Sequence, residues 1–257
     1  MVQVIAEVTW SCPCRCKFCT VPKSSKVMLV SDFRRVLEAF RDFFDDPDNA
    51  VVISGGEPST IAFLRDYVII AKELGYSVTV VTSGWHPERV VRAEPDVIEV
   101  SIDYFGRAHD VSRGVDGLFN RAMNLIAMSV KRGLYPVVRS TAMKDNIIDI
   151  IRLREYLDRS GLTEVPILVM PVRGAPHLKP TEQQLRMLKR DMIFLSDNCP
   201  AGKSSFVVTP DREILACIFY RKKLGELWRF TAEEVQEAYI KGMKLPPYPC
   251  ESTVNSP

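Results

Sequence analysis

Six times in the first 170 residues a short apolar stretch of strand character gives way to helical spacing, and each change of period marks an element boundary. Strands are expected at residues 2–9, 50–54, 77–82, 97–102, 135–143 and 165–170. Ser31 caps a first helix in which Phe33, Val36, Leu37, Phe40 and Phe44 share one face, and which ends at the acidic turn 45–48. Further helices are expected over 59–74, after Pro87, over 117–132 and over 146–160, with Gly75, Gly133 and Gly161 as stops. Thr181 and Gln184 form a capping box for a last long helix, and the stretch 104–115 is less regular. Parallel strands need crossovers and helices to cover them, so this order implies an α/β fold.

A doubly wound open sheet and a curved partial barrel both fit the alternation. The unusual residues favour the barrel. A cysteine loop follows the first strand, Gly55-Gly56-Glu57-Pro58 the second and Thr82-Ser83-Gly84 the third. Ser101 and Asp103 end the fourth strand, Arg139 is late in the fifth, and Met170-Pro171-Val172 ends the sixth. Polar, glycine and ligand residues at successive C-terminal strand ends converge on one mouth, as in barrel active sites. No Gly-x-Gly-x-x-Gly loop follows the first strand, which weakens a dinucleotide-binding fold. The expectation is a partial (β/α)6 TIM-like barrel over residues 1–195, with a small extension over 196–257.

Four of the seven cysteines, Cys12, Cys14, Cys16 and Cys19, fall within eight residues. Clustered thiolates suit soft-metal centres, and the sequence lacks the basic start of a secretory signal, so they read as metal ligands in a reducing cytoplasm and not as disulfide partners. No apolar run is long enough to span a membrane. A net charge of +2 gives no support for a nucleic-acid binder, and Arg221-Lys222-Lys223 reads as a solvated turn. Three ligands around a four-iron cubane leave one iron open for a substrate or cofactor. A structural zinc loop is the alternative, and it needs a fourth ligand.

Cys12-x3-Cys16-x2-Cys19, with Phe18 before the last cysteine, resembles the signature of the radical S-adenosylmethionine (radical SAM) superfamily. The resemblance implies a [4Fe-4S] cluster on those three cysteines, SAM on its open iron, and Phe18 near the adenine. Cys14 departs from the pattern and allows Cys14, Cys16 and Cys19 as another ligand set. Gly55, Gly56, Glu57 and Pro58 resemble the family's second motif, which holds the amino group of SAM; glycines let backbone approach and a carboxylate complements an ammonium. By the same resemblance Thr82, Ser83, Ser101, Asp103 and Arg139 stand where related enzymes bind the SAM carboxylate and ribose, and Pro171 and Val172 where they contact adenine. His109-Asp110 and Arg113-Gly114 match a His-Asp-x-x-Arg-Gly segment of several relatives, read as positioning or substrate contact.

The remaining cysteines, Cys199, Cys217 and Cys250, lie in a stretch that resembles the opening of the family's SPASM or shorter twitch extension. That resemblance implies a hairpin over 207–210 and 214–217, a helix over 231–242, and a second, auxiliary iron-sulfur cluster on the three cysteines. The usual hairpin glycine is absent, and Asp211-Arg212 stands at the turn. The activity implied is reductive cleavage of SAM to a 5′-deoxyadenosyl radical that abstracts hydrogen from a peptide, protein or small-molecule substrate, with electrons from a donor such as ferredoxin or flavodoxin. Oxygen sensitivity goes with such a cluster. A metal-binding sensor or scaffold without catalysis is the competing class.

Overall fold

The computed structural model of the protein describes residues 2–173, 175–196 and 200–246. Contacts divide the chain into two units, the first of Met1–Cys12, Thr20–Val80 and Cys199–Pro257, the second of Pro13–Cys19 and Val81–Asn198. By these contacts the C-terminal stretch groups with the N-terminal one.

In the first unit, strand β1 (Gln3–Thr9) is flanked by parallel partners, β2 (Ala50–Gly55) on one side and β8 (Ser205–Val208) on the other. The order continues outward to β3 (Ser77–Thr82) beyond β2, and to β9 (Glu213–Leu215) and β10 (Lys223–Glu226) beyond β8. The last two pairings are antiparallel, β8 with β9 and β9 with β10. Arg212 makes the β8–β9 turn at φ +65°, the left-handed backbone that a glycine usually takes. Helices α1 (Val30–Phe44), α2 (Leu64–Glu73) and α8 (Ala232–Met243) belong to this unit. α1 buries Phe33, Val36, Leu37 and Phe40, as its spacing predicts. Phe40 and Phe44 meet Phe206 of β8, and Phe44 meets Tyr239 of α8, so one aromatic cluster joins both ends of the chain.

The second unit carries four parallel strands, β4 (Val97–Ser101), β5 (Tyr135–Ala142), β6 (Ile167–Pro171) and β7 (Ile193–Leu195). Its helices are α3 (Pro87–Ala93), α4 (Arg107–Arg113), α5 (Leu118–Lys131), α6 (Ile147–Arg159) and α7 (Glu182–Met187). Exposure alternates along β4: Ile98 and Val100 are buried while Glu99 and Ser101 are partly open, a period-2 pattern that puts polar groups on one face.

Three local expectations change. Leu29, not Ser31, precedes the first turn of α1 and gives no side-chain cap. The helix expected over 59–74 is broken after a 3-10 turn, Pro58–Thr60, because Ile61 turns extended and buries its side chain. The Thr181–Gln184 capping box forms, but α7 is only six residues long, and Met192 at φ +58° redirects the chain into β7 beside β6.

Candidate active site

In the first unit, the stem of the cysteine loop and the Gly-Gly-Glu turn are built against each other. Residues 24–28 return beside the end of β1: Trp10 N donates to Lys26 O (2.9 Å) and Met28 N to Val8 O (2.9 Å), closing the loop at its base. The turn lies on that base, with Gly56 N donating to Thr9 O at 2.6 Å and Glu57 N to Ser11 O at 2.8 Å. A Cβ on Gly55 would lie 2.3 Å from Thr9 O, and one on Gly56 2.2 Å from Ser11 O; only glycine permits the approach. Glu57 is buried and accepts from Ser59 N and Oγ through Oε1, and Pro58 starts the 3-10 turn that follows. Cys12, one residue beyond Ser11, is partly exposed.

The second unit holds the rest of the loop, Pro13–Cys19. Cys19 N donates to Cys16 O at 3.2 Å, so these two cysteines share one turn; Cys16 is partly and Cys19 largely open to solvent, whereas Cys14 is 2% exposed. The anchor of this segment is α4, which the sequence reading left irregular. Arg15 N donates to Arg113 O at 2.7 Å, the Arg113 guanidinium stands 5.8 Å from the Phe18 ring centroid, and Gly114 leaves room for Arg15.

Asp103 organises the interior beside it. Its Oδ2 takes Arg113 Nη2, its Oδ1 takes Thr141 N at 2.9 Å, its carbonyl takes Asn146 Nδ2 at 2.8 Å, and its own N–H donates to His109 Nδ1 at 3.3 Å. Burial alone would loosen the Arg113 proton; the Asp103 carboxylate, and after it Cys16, reverse that and hold the guanidinium more firmly protonated than usual. Asp103, expected from the resemblance among the contacts to the SAM carboxylate and ribose, is 1% exposed, and both its carboxylate oxygens accept hydrogen bonds. In the His-Asp-x-x-Arg-Gly segment His109 is fully buried and Asp110 partly open.

Burial, and then the Arg113 charge, pull His109 down to about 4. The imidazole stays neutral in the fold, and Nδ1 accepts while Nε2 finds no partner among the described residues. In the unfolded chain it titrates near about 6.5. The unfolded state therefore takes up the extra proton, and stability is full above that value and falls as pH drops toward 4. Between pH 7 and 5 this costs about 2 kcal/mol. Urea unfolding at the two pH values is expected to show that loss in the wild type and a smaller one in His109→Gln.

The other expected contacts lie at or beside strand ends. Thr82 and Ser83 are buried, and Thr82 Oγ1 accepts from Gly84 N at 3.0 Å. Gly84, at φ +82°, allows α5 to approach, since a Cβ there would lie 2.8 Å from Ala122 Cα. Ser101 and Arg139 are register partners across β4 and β5, and Arg139 Nη1 donates to Glu99 Oε2 at 2.6 Å. Val172 is buried and donates its N–H to Ala142 O at 2.9 Å, while Pro171 is partly open.

In the C-terminal stretch, Cys217 is partly exposed and its Sγ accepts from Phe219 N at 3.3 Å. Cys199 and Cys250 lie outside the described residues. Arg221, read from the sequence as part of a solvated turn, instead reaches Glu7 in β1 with both terminal nitrogens, at 2.6 and 3.0 Å, and Trp10 Nε1 donates to the same carboxylate at 2.7 Å. The signal in the sequence was a lone glutamate in an apolar strand, because a buried carboxylate requires a partner. Among the described residues no three His, Cys, Asp or Glu side chains are gathered closely enough for a single metal ion.

These features define a parallel α/β protein in which a glycine-rich acidic turn is fastened to the stem of a cysteine-rich loop. The chain belongs to the Radical SAM superfamily, whose profile matches residues 7–157. Pre-heme d1 synthase of Dinoroseobacter shibae is 26% identical over 169 residues, which are 62% of this chain and 41% of that protein. In fold the chain is similar to anSMEcpe with bound AdoMet, at a TM-score of 0.74 and 12% identity, over 95% of this chain and 82% of that one. It is also similar to Streptococcus suis SuiB bound to the precursor peptide SuiA, at 0.70 and 14%, over 85% of this chain and 60% of SuiB. The chain thus spans less than two thirds of the length of SuiB and of the synthase. The expected α/β partial-barrel class, with the barrel not closed, is that of these neighbours.

The family's cofactors are SAM and a [4Fe-4S] cluster, and the residues present fit them. Three thiols in one loop match the donor chemistry of a cluster with an open iron. Gly55 and Gly56 are seated so closely on the Thr9 and Ser11 carbonyls that any Cβ would collide with them.

Proposed function

We propose that the chain reductively cleaves SAM, with Cys12, Cys16 and Cys19 as the cluster ligands. The observation that carries this reading is the fastening of Gly56 and Glu57 to Thr9 and Ser11, which ties the SAM-binding turn to the residue before Cys12. The partial exposure of Cys12 and burial of Cys14 favour Cys12 as the third ligand. When bound, the cluster and SAM supply the electron and the 5′-deoxyadenosyl radical that abstracts hydrogen from the substrate. The backbone at Gly55 and Gly56, with the Glu57 carboxylate, receives the methionine end of SAM. Ser101 and Arg139 lie on the partly open face of β4 and β5 and serve its ribose and carboxylate; Thr82 and Ser83 shape the neighbouring turn. Asp103 acts through Arg113 by holding Phe18 and the cysteine turn, and Phe18, Pro171 and Val172 form apolar walls for adenine.

The substrate proposed is a peptide or protein, supported by the likeness to SuiB, whose structure was solved with a precursor peptide. The match to pre-heme d1 synthase favours a second reading, a small-molecule cofactor precursor. Cys217, with Cys199 and Cys250, is proposed to hold an auxiliary cluster, supported by the N–H donated to Cys217 Sγ. A ferredoxin or flavodoxin is the proposed electron donor, and the cytoplasm the proposed location. None of the described helices is long and apolar enough to cross a membrane.

The test is anaerobic reconstitution with iron and sulfide, then SAM and dithionite, and chromatography for 5′-deoxyadenosine. Its formation supports the reading; a reducible cluster that leaves SAM intact rejects it in favour of a sensor or scaffold. Iron distinguishes one cluster from two, at about four or about eight per chain. Mass spectrometry of a native extract after turnover separates peptide from small-molecule substrates.

A further inference from the structure

The Glu7–Arg221 pair lies outside every residue assigned so far. Glu7 is 1% exposed, one of few charged groups in the interior of the first unit, and its carboxylate is held by Arg221 from the far end of the sequence and by the Trp10 indole. Arg221 takes this place at φ +48°, a backbone conformation uncommon for a non-glycine residue. Its N–H donates to Cys217 O at 2.9 Å, closing the turn between β9 and β10. Around the pair the same stretch is fixed to the two flanks of the cysteine loop. Thr20 Oγ1 donates to Ile218 O at 2.6 Å, and Lys26 Nζ reaches Asp211 at 2.5 Å.

The Glu7 backbone also borders the Gly-Gly-Glu turn. A Cβ on Gly55 would stand 3.2 Å from Glu7 Cα, so the backbone of residues 7–9 is the platform on which Gly55 and Gly56 rest. A carboxylate left in this interior without its cation must protonate or move toward water, and either course shifts the platform. We propose that Glu7 and Arg221 are positioning residues for the cofactor site: the C-terminal turn 217–221, through one ion pair, sets the height of the Gly-Gly-Glu turn over the stem of the cysteine loop. This inference rests on the SAM-cleaving reading above.

The test compares reconstituted wild type with Arg221→Gln, Glu7→Gln, Arg221→Lys and the double Glu7→Gln/Arg221→Gln. Arg34→Gln, which breaks a solvent-exposed pair with Glu73 elsewhere in the same unit, is the control. Iron content, the EPR spectrum of the dithionite-reduced cluster with and without SAM, and KM for SAM separately from kcat are measured. Each single neutral variant is expected to keep its iron, to lose the SAM-induced change in line shape, and to raise KM by about 10- to 100-fold, as lost outer-shell support does at metal centres. Arg221→Lys recovers part of the loss, and Arg34→Gln matches wild type. Should a single variant fail to fold, the double variant, which buries no lone charge, decides by the same readouts. Wild-type EPR changes and KM in the neutral variants, with only a lower melting temperature, would overturn the proposal. Failure of the parent reading is separately visible, because wild type itself would then show no response to SAM.

Discussion

Cys16→Ala is expected to abolish 5′-deoxyadenosine formation, leaving only the enzyme-free background, and to prevent a stable four-iron cluster. The loss is chemical and not conformational. Cys16 contributes its carbonyl to the turn with Cys19, and alanine keeps that carbonyl. What disappears is one of three thiolates, and a cubane already using its fourth iron for SAM has no spare protein ligand. Cys14→Ala is the informative companion. Its thiol is buried in the loop wall, so if Cys12 is the third ligand this variant retains about four irons per chain at the primary site and turns over SAM. Iron lost from Cys14→Ala but kept in Cys12→Ala would reassign the ligand set.

The second large effect is on stability. Arg113→Met removes the cation from Asp103, which is 1% exposed, and an ion pair broken this way typically costs about 3–5 kcal/mol. At roughly 2–4 °C per kcal/mol for a chain of this size, the melting temperature falls on the order of 10 °C. Cluster loading suffers as well, since the support under Phe18 is lost. In Asp103→Asn/Arg113→Met no lone charge remains, and a double-mutant cycle by thermal melting should show that the two changes together cost clearly less than the sum of their separate effects. Additive losses would mean that the ion pair is not the source of the effect.

Much of the fold was legible in the sequence because parallel strands are apolar runs and each helix carries a one-sided stripe. The cysteine and Gly-Gly-Glu motifs were legible because their spacing in the chain is local. What escaped depends on partners distant in sequence or on backbone conformations that side chains do not announce. β7 is three residues after a methionine in the left-handed region, too short to show a period. α4 is seven residues bounded by two glycines at positive φ, and its role is set by Arg15 and Asp103, far apart in sequence. Arg221 sat in a run of three cations that reads as surface, and nothing local ties it to a glutamate 214 positions earlier.

The pairing of β1 with β8 also has a temporal side. Gln3 and Ser205, register partners in the finished sheet, are 202 positions apart, so a ribosome adding about 5–20 residues per second makes the second roughly 10–40 s after the first. Throughout that interval one edge of β1 has no native neighbour and Glu7 has no Arg221. Unpaired strand edges invite association with other chains, and contacts this remote form late. The cysteine loop is made well before Arg221 and β8, so whatever support they give its stem is acquired only after those residues are synthesised.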